Sequence, residues 1–214
     1  MSFTLPGVYP ITDTKLSGLS HVDQVRQLID GGATLIQLRE KDLSPREFHR
    51  EAEVALKLAR AHGVRLIIND RVDIAFALKA DGIHLGQTDL PPAEARKILG
   101  DEAIIGFSTH NLEQARAAST LPVDYLAVGP IFSTASKRAP DPVVGLPGLH
   151  DIRAGIDHLP IVAIGGITVA NASEVLGAGA DSVAMISGLL ADGNAASRMR
   201  ESLKIWKEWS NWLV

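Results

Sequence analysis

Short apolar runs alternate with longer amphipathic segments along the chain. The runs are Val8–Ile11, Leu35–Leu38, Leu66–Ile68, Ile83–Leu85, Ile104–Phe107, Tyr125–Val128, Ile161–Ile164 and Val183–Ile186. Each is short and rich in β-branched residues or Leu, the pattern of a strand buried on both faces. The segments between them carry helix-start signals. Ser44-Pro45-Arg46-Glu47 and Asn171-Ala172-Ser173-Glu174 place Glu three residues after a capping residue, and Asn111 is followed by Gln114 in the same way. Eight strand–helix units in a chain of this length predict an α/β fold, a single (β/α)8 TIM barrel over residues 1–214. An open doubly wound sheet would have fewer strands and a switch point in their order.

The two ends of such a barrel differ. The stretches DGGATLIQL, KADGIHL, PVDYLAV and GAGADSVAM read as helix ends and tight turns into the next strand, which is a structural role. Polar chemistry collects instead where strands end and βα loops begin, the functional end of this architecture. Gln37, Arg39 and Lys41 follow the second run with a spacing of two, so an extended backbone points them the same way. Two cations and an amide in one mouth suit an anionic ligand, and the Arg fork suits phosphate oxygens. The plainer alternative is a solvated charge cluster in which Glu40 and Asp42 pair with the cations.

Asp70 and Asp89 follow the third and fourth runs. Neighbouring strands lie about 4.8 Å apart, so carboxylates at adjacent strand ends can meet on one cation. Mg²⁺ fits, since it takes one or two carboxylates together with phosphate oxygens. Helix capping ahead of Val72 and Pro91 is the other reading of these two residues. Gly165-Gly166 after the seventh run and Ser187-Gly188 after the eighth have the small residues of a backbone anion site, with tight turns as the alternative. The Gly129–Pro147 connection is long and rich in Gly, Pro, Ser and Thr, as binding loops and lids are, and carries Lys137. His84 alternates with strand apolars and reads as a hydrogen-bonded core histidine. His110, at a helix start, is open. Trp206, Trp209 and Trp212 mark a helix face that docks on the barrel or on a subunit partner in a homo-oligomer.

Composition narrows this picture. A net charge of −4 gives no electrostatic reason to expect nucleic acid, so anion binding must rest on local cations. The absence of cysteine excludes disulfides, thiolate nucleophiles and Cys-ligated zinc. No run approaches the roughly 18 apolar residues of a membrane span, and MSFTLPGVYPIT has no basic segment followed by an apolar stretch. A soluble cytoplasmic protein is the expectation.

QLREK, NDRVDIAFALKADGIHLGQTDL, GFSTHNLEQA, DYLAVGPIFSTASK and AIGGI, in this order from Val8 to about Ser187, resemble the thiamine-phosphate synthase family. The resemblance implies a transferase that joins an aminopyrimidine methyl diphosphate to a thiazole phosphate, or its carboxylated form, releasing pyrophosphate. It implies that Gln37 contacts the pyrimidine and that Arg39, Lys41, Asn69 and Lys137 hold the diphosphate. Asp70 and Asp89 would hold Mg²⁺, and Ser108 would sit beside the reacting centre. Thr134 and Ser136 would belong to the thiazole loop, with the thiazole phosphate on backbone near Gly166, Ile186 and Ser187. The chain departs from the family's Pro-Thr-x-Thr-Lys loop in having Ser133-Thr134-Ala135-Ser136-Lys137. Ser in place of Thr keeps the hydroxyl and loses a methyl, which bears on loop order and affinity more than on chemistry. The related thiazole tautomerase group, as the resemblance implies, tends to lack the two carboxylates and to carry His at the position of Pro130. A non-catalytic barrel that binds thiamine precursors is the alternative from a different class.

Overall fold

A computed structural model describes residues 4–134, 141–156 and 158–211. All eight apolar runs form strands, β1 (Val8–Thr12), β2 (Leu35–Leu38), β3 (Arg65–Asn69), β4 (Gly82–Leu85), β5 (Ile104–Thr109), β6 (Tyr125–Val128), β7 (Ile161–Ile164) and β8 (Ser182–Met185). They pair in chain order, and β8 returns to β1 in parallel, so the sheet closes into a (β/α)8 barrel. The helices α1 (Thr14–Ser17) and α2 (His21–Asp30) lead from β1 to β2. The later crossovers are α3 (Pro45–Ala61), α4 (Val72–Leu78), α5 (Pro92–Leu99), α6 (Leu112–Ala118), α7 (Gly145–Gly155) and α8 (Ala172–Gly177). After β8 come α9 (Ser187–Leu190) and α10 (Ala195–Asn211). Among the described residues no helix is long and apolar enough to cross a membrane.

Alternation along each strand divides the core in two. Tyr9, Ile11, Leu35, Ile67, Ile104, Tyr125, Ala127, Val162 and Ala184 fill the barrel interior. Their neighbours, among them Ile36, Leu66, Ile68, Ile83 and Ile105, pack outward in the shell that includes Leu28, Phe48 and Leu56 of the surrounding helices. Because both faces are covered, each strand reads as a continuous apolar run.

The recurring Asp at the strand entrances has a specific task. Asp81 accepts from Leu66 N (2.8 Å), Asp124 from Ile105 N (2.7 Å) and Asp181 from Ile161 N (2.7 Å), so each ties its own strand to the preceding one. Arg96 and Arg153 neutralise Asp124 and Asp181 at 2.8 and 3.0 Å.

Three local expectations are refined. Ser44 and Glu47 form a full capping box, and Asn111 accepts from Gln114 N at 2.8 Å. Asn171 makes no cap bond to its helix; its amide braces the preceding loop instead, accepting from Thr168 N and donating to Gly166 O. Ile186, expected to end the last strand, has left the sheet and precedes α9, whereas β5 continues to Thr109 and carries Ser108 within the strand. Trp206 and Trp209 dock partly buried on the barrel's own core, and Trp206 covers Gly7 so closely that a Cβ there would lie 1.8 Å from its Nε1. Trp212 lies outside the described residues.

Gly106 leaves room for Tyr125: a Cβ would fall 2.0 Å from Tyr125 Cζ, inside the closed barrel. Gly106→Ala should destabilise the fold by about 1–3 kcal/mol through overpacking. An unchanged midpoint in urea unfolding would overturn this assignment.

Candidate active site

A string of polar side chains crosses the barrel interior just below its C-terminal mouth. Gln37 Nε2 donates to Tyr9 Oη (3.1 Å), Tyr9 and Tyr125 hydroxyls meet at 3.1 Å, Tyr125 Oη meets His84 Nδ1 at 3.0 Å, and His84 Nε2 meets Ser108 Oγ at 2.9 Å. Burial holds the His84 imidazole neutral, pushing its pKa down to about 4 although the charge of Asp70 acts the other way. Burial likewise pushes both phenols up. With every group neutral, one ordering gives each proton in the string an acceptor. Gln37 donates to Tyr9, Tyr9 to Tyr125, Tyr125 to His84 Nδ1, and His84 Nε2–H to Ser108. The Ser108 hydroxyl proton is thereby turned away from His84.

The charged groups gather around this floor. β2 ends at Leu38, so Arg39 already lies beyond the strand and Lys41 sits in the bend that follows. Arg39 pairs with Asp13 at 2.7 Å, and Lys41 Nζ pairs with Asp70 Oδ2. Glu40 does not neutralise these cations as the charge-cluster reading expected; its carboxylate turns inward to His21. Asn69 ends β3, buried, opposite His84 in register. Asp70 adopts φ 61°, a left-handed conformation that costs a non-glycine residue about 1–2 kcal/mol. The capping alternative fails for both aspartates, since the N-cap positions of α4 and α5 are held by Arg71 and Pro91 and neither helix has a side-chain cap.

Asp89 instead closes its own turn, accepting from Gly86 N at 2.7 Å, and hydrogen-bonds to Asp70. Burial pushes the Asp89 carboxyl above the usual carboxylate range; the Gly86 N–H opposes this, and the Asp70 charge and hydrogen bond add to it. Two adjacent carboxylates, one of which has its proton affinity raised by the charge of the other, have the donor chemistry to hold a dication in place of the proton. Among the described residues no group of three or more His, Cys, Asp or Glu converges, so further oxygens would have to come from a ligand.

The later loops press on one another. Ile131 N donates to Ile164 O and Phe132 N to Gly165 O (2.9 and 3.0 Å), joining the loop after β6 to that after β7. Gly165 and Gly166 have φ 105° and 64°, and added Cβ atoms would lie 2.5 Å from Pro130 and 2.7 Å from Phe132. The close approach these glycines allow is thus taken, on that side, by the neighbouring loop. Gly188 backs similarly onto Ile167 O, beside Ile186 and Ser187 at the start of α9. His110 links β5 to the long loop: it donates through Nδ1 to Gly129 O (2.5 Å), and its Nε2 lies 3.5 Å from Asp141. Thr134 is at the edge of the described loop; Ser136 and Lys137 lie outside the described residues.

Tyr9, Tyr125, Asp13 and Glu40 were not singled out as site residues by the sequence. For the two tyrosines a signal exists: they are polar-tipped residues at inward positions of apolar strands. Asp13 and Glu40 carry no such signal.

Fold and site define a phosphate-suited (β/α)8 barrel, with cations and carboxylates at the C-terminal ends of β2–β4 and glycine-rich loops after β7 and β8. The chain belongs to the thiamine monophosphate synthase family, whose model matches residues 8–189. It is 47% identical over 199 residues to the thiamine-phosphate synthase of Chloroflexus aurantiacus, covering 92% of this chain and 91% of that one. It is 46% identical over 198 residues to that of Moorella thermoacetica, covering 91% and 94%. The solved thiamine phosphate pyrophosphorylase from Pyrococcus furiosus is similar at 38% identity with a TM-score of 0.85, covering 94% of this chain and 96% of that one. A 3-hexulose-6-phosphate synthase at 15% identity and a TM-score of 0.67, covering 92% and 98%, shares the fold alone.

The neutral His84 has a pH signature. The unfolded chain takes up a proton on this ring near pH 6.5, the folded protein only near pH 4. Stability is therefore fully present above about pH 6.5 and falls as pH drops toward about 4, by on the order of 3 kcal/mol from this group. Urea unfolding of metal-free protein across this range should show the slope, and His84→Gln should make it shallower. An identical slope in the variant would refute the neutral, buried assignment.

Proposed function

We propose that this chain condenses 4-amino-2-methyl-5-(diphosphooxymethyl)pyrimidine with 4-methyl-5-(2-phosphoethyl)thiazole, or its carboxylated form, to give thiamine phosphate and pyrophosphate, and that the reaction depends on Mg²⁺. The observation that carries the reading is the convergence of Lys41, Asp70 and Asp89 from three successive strand ends, beside Arg39 and above the Gln37–Ser108 string.

In this reading the C–O bond from the pyrimidine methylene to the diphosphate breaks, and its electron pair leaves with pyrophosphate. The ring amino group delocalises the positive charge left on the methylene. The thiazole nitrogen lone pair then forms the new C–N bond. No protein nucleophile is required. Arg39, Lys41, Asn69 and Lys137 bind the diphosphate and stabilise the charge that grows on it. Asp70 and Asp89 would hold Mg²⁺, which supplies further neutralisation of the leaving group when bound. Gln37, fixed by Tyr9, orients the pyrimidine ring, and Ser108 presents its hydroxyl proton to the reacting end. Thr134 and Ser136 line the thiazole side, and the thiazole phosphate lies on backbone near Gly166, Ile186 and Ser187. Holding both substrates in one dry mouth supplies the entropic part of the acceleration.

The isomerase alternative is set aside because Pro130 stands where that group tends to carry His and the paired carboxylates are present. Purified protein given both substrates should form thiamine phosphate and pyrophosphate with Mg²⁺ and not with a chelator, and Asp89→Asn should lower kcat/KM on the order of 100-fold or more. Folded wild-type protein that binds the substrates but releases no pyrophosphate would overturn the enzyme reading in favour of a binder.

A further inference from the structure

The segment presenting Arg39 and Lys41 is irregular backbone, yet the N–H groups of residues 39, 41, 42 and 43 are all held by side chains. One side chain does most of this. Glu40 Oε1 accepts from the backbone N–H groups of Lys41 (2.7 Å), Asp42 (2.7 Å) and Leu43 (3.1 Å). Its other oxygen accepts from the Thr14 hydroxyl at 2.9 Å and faces His21 Nε2 at 3.1 Å. The backbone N–H of Arg39 reaches Thr12 Oγ1 at 3.3 Å, and the same oxygen lies 2.8 Å from His21 Nδ1.

His21 connects the two ends of this arrangement. Its side chain is 0% exposed and that of Glu40 is 3%, whereas the Lys41 side chain is 50% exposed. Burial lowers the His21 pKa despite the nearby carboxylates, so the ring is neutral and carries one proton. Facing an acceptor-only carboxylate, Nε2 must hold it; the one proton of the Thr12 hydroxyl then goes to Nδ1 at 2.8 Å in preference to the longer Gln37 O contact at 3.3 Å, while Thr12 Oγ1 accepts from Arg39 N. The bonds form a closed circuit from Arg39 N through Thr12, His21 and Glu40 to the amides of residues 41–43. Burying a carboxylate between two cations without pairing it to either is costly unless donors satisfy it, and here five do. Against burial, which pushes it up, the Asp42 and Leu43 amides and the Thr14 hydroxyl hold the Glu40 carboxyl down at about 2.

We infer that Glu40, with His21 and Thr12, is the positioning element that holds Arg39 and Lys41 in the arrangement that binds the diphosphate, without touching the substrate itself. The inference rests on the reading of Arg39 and Lys41 given under Proposed function. Removing the Glu40 carboxylate leaves three adjacent amides without their acceptor, so the cations lose a fixed origin while the loops after β6 to β8 keep theirs.

The test is a split between substrates. Glu40→Ala should raise the KM for the pyrimidine diphosphate and the dissociation constant of inorganic pyrophosphate, titrated calorimetrically with Mg²⁺ present, about 10- to 100-fold. The KM for the thiazole phosphate should stay within about 2-fold, since the misplacement is confined to one end of the site. Glu40→Gln, which keeps an acceptor for the three amides, should restore most of the affinity. Thr12→Val, a milder cut at the Arg39 end, should shift the same constants in the same direction and keeps the test open if Glu40→Ala does not fold. Hydrogen exchange at residues 41–43 should accelerate in Glu40→Ala. Arg39→Ala serves as the reference. If Arg39→Ala leaves pyrophosphate affinity unchanged, the diphosphate reading itself fails. If Arg39→Ala weakens it and neither Glu40→Ala nor Thr12→Val does, or if both substrates' KM values rise together, the positioning role is refuted.

Discussion

A polar group inside a closed barrel has no water to fall back on, and the mouth of this barrel is organised by that constraint. Gln37, Tyr9, Tyr125, His84 and Ser108 come from five different strands and can satisfy one another only in a fixed order. The order dictates ring placement. Tyr125 stands edge-on to Tyr9 at 5.9 Å between centroids and stacks on His84 at 5.7 Å, which in turn requires the bare backbone of Gly106 beneath it. A protein that must recognise a heteroaromatic ring with ring nitrogens and an amino group gains from such a floor, because its donors and acceptors cannot swap roles when the ligand arrives.

The acidic residues divide by the same criterion. Asp81, Asp124, Asp181 and Glu40 each have an oxygen taken by backbone N–H groups, so they act as fasteners between strands or within a loop. Asp70 and Asp89 face each other and Lys41, with one Asp89 oxygen spent on its own turn. The first set is satisfied by the fold. The second is left with mutual repulsion that a proton or a cation must offset, and Asp70 bears a strained backbone as well. The distinction between structural and chemical carboxylates is therefore a matter of who donates to them, not of their depth in the molecule.

The strands were legible because burial on both faces leaves an uninterrupted apolar signature, and their number and alternation with helices pointed to closure. Ends were less so. Ser108 inside β5 and Ile186 beyond β8 depend on where the ladder hydrogen bonds stop, which apolarity alone does not mark. At the site, Arg39, Lys41, Asp70 and Asp89 could be picked out because charge after an apolar strand is conspicuous. Asn171 was legible as a polar residue at a helix start, but the choice between capping the helix and bracing the loop before it is made by the φ/ψ of that loop. Glu40 was the least legible: between Arg39 and Lys41 it looks like a partner in a surface charge cluster, and only the inward path of the chain reveals a buried His21 and a set of backbone amides competing for it more effectively than the cations do.

That competition keeps the Glu40 charge off its two cationic neighbours, whose partners are Asp13 and Asp70 instead. If the acid between Arg39 and Lys41 paired with them, the local charge would cancel and an incoming polyanion would have to break those pairs before binding. Spending the Glu40 charge on amides leaves Lys41 paired with Asp70 at partial exposure, where the pair is screened and exchanges at little cost, and Arg39 paired with Asp13 largely out of solvent. In the proposed reaction Lys41 would pass from Asp70 to the anionic ligand as Asp70 turned to the cation, so that one exchange of partners would ready both groups. The buried acid fixes the backbone and the half-exposed Lys41 keeps a replaceable partner, which keeps rigidity and responsiveness on different residues of one short segment.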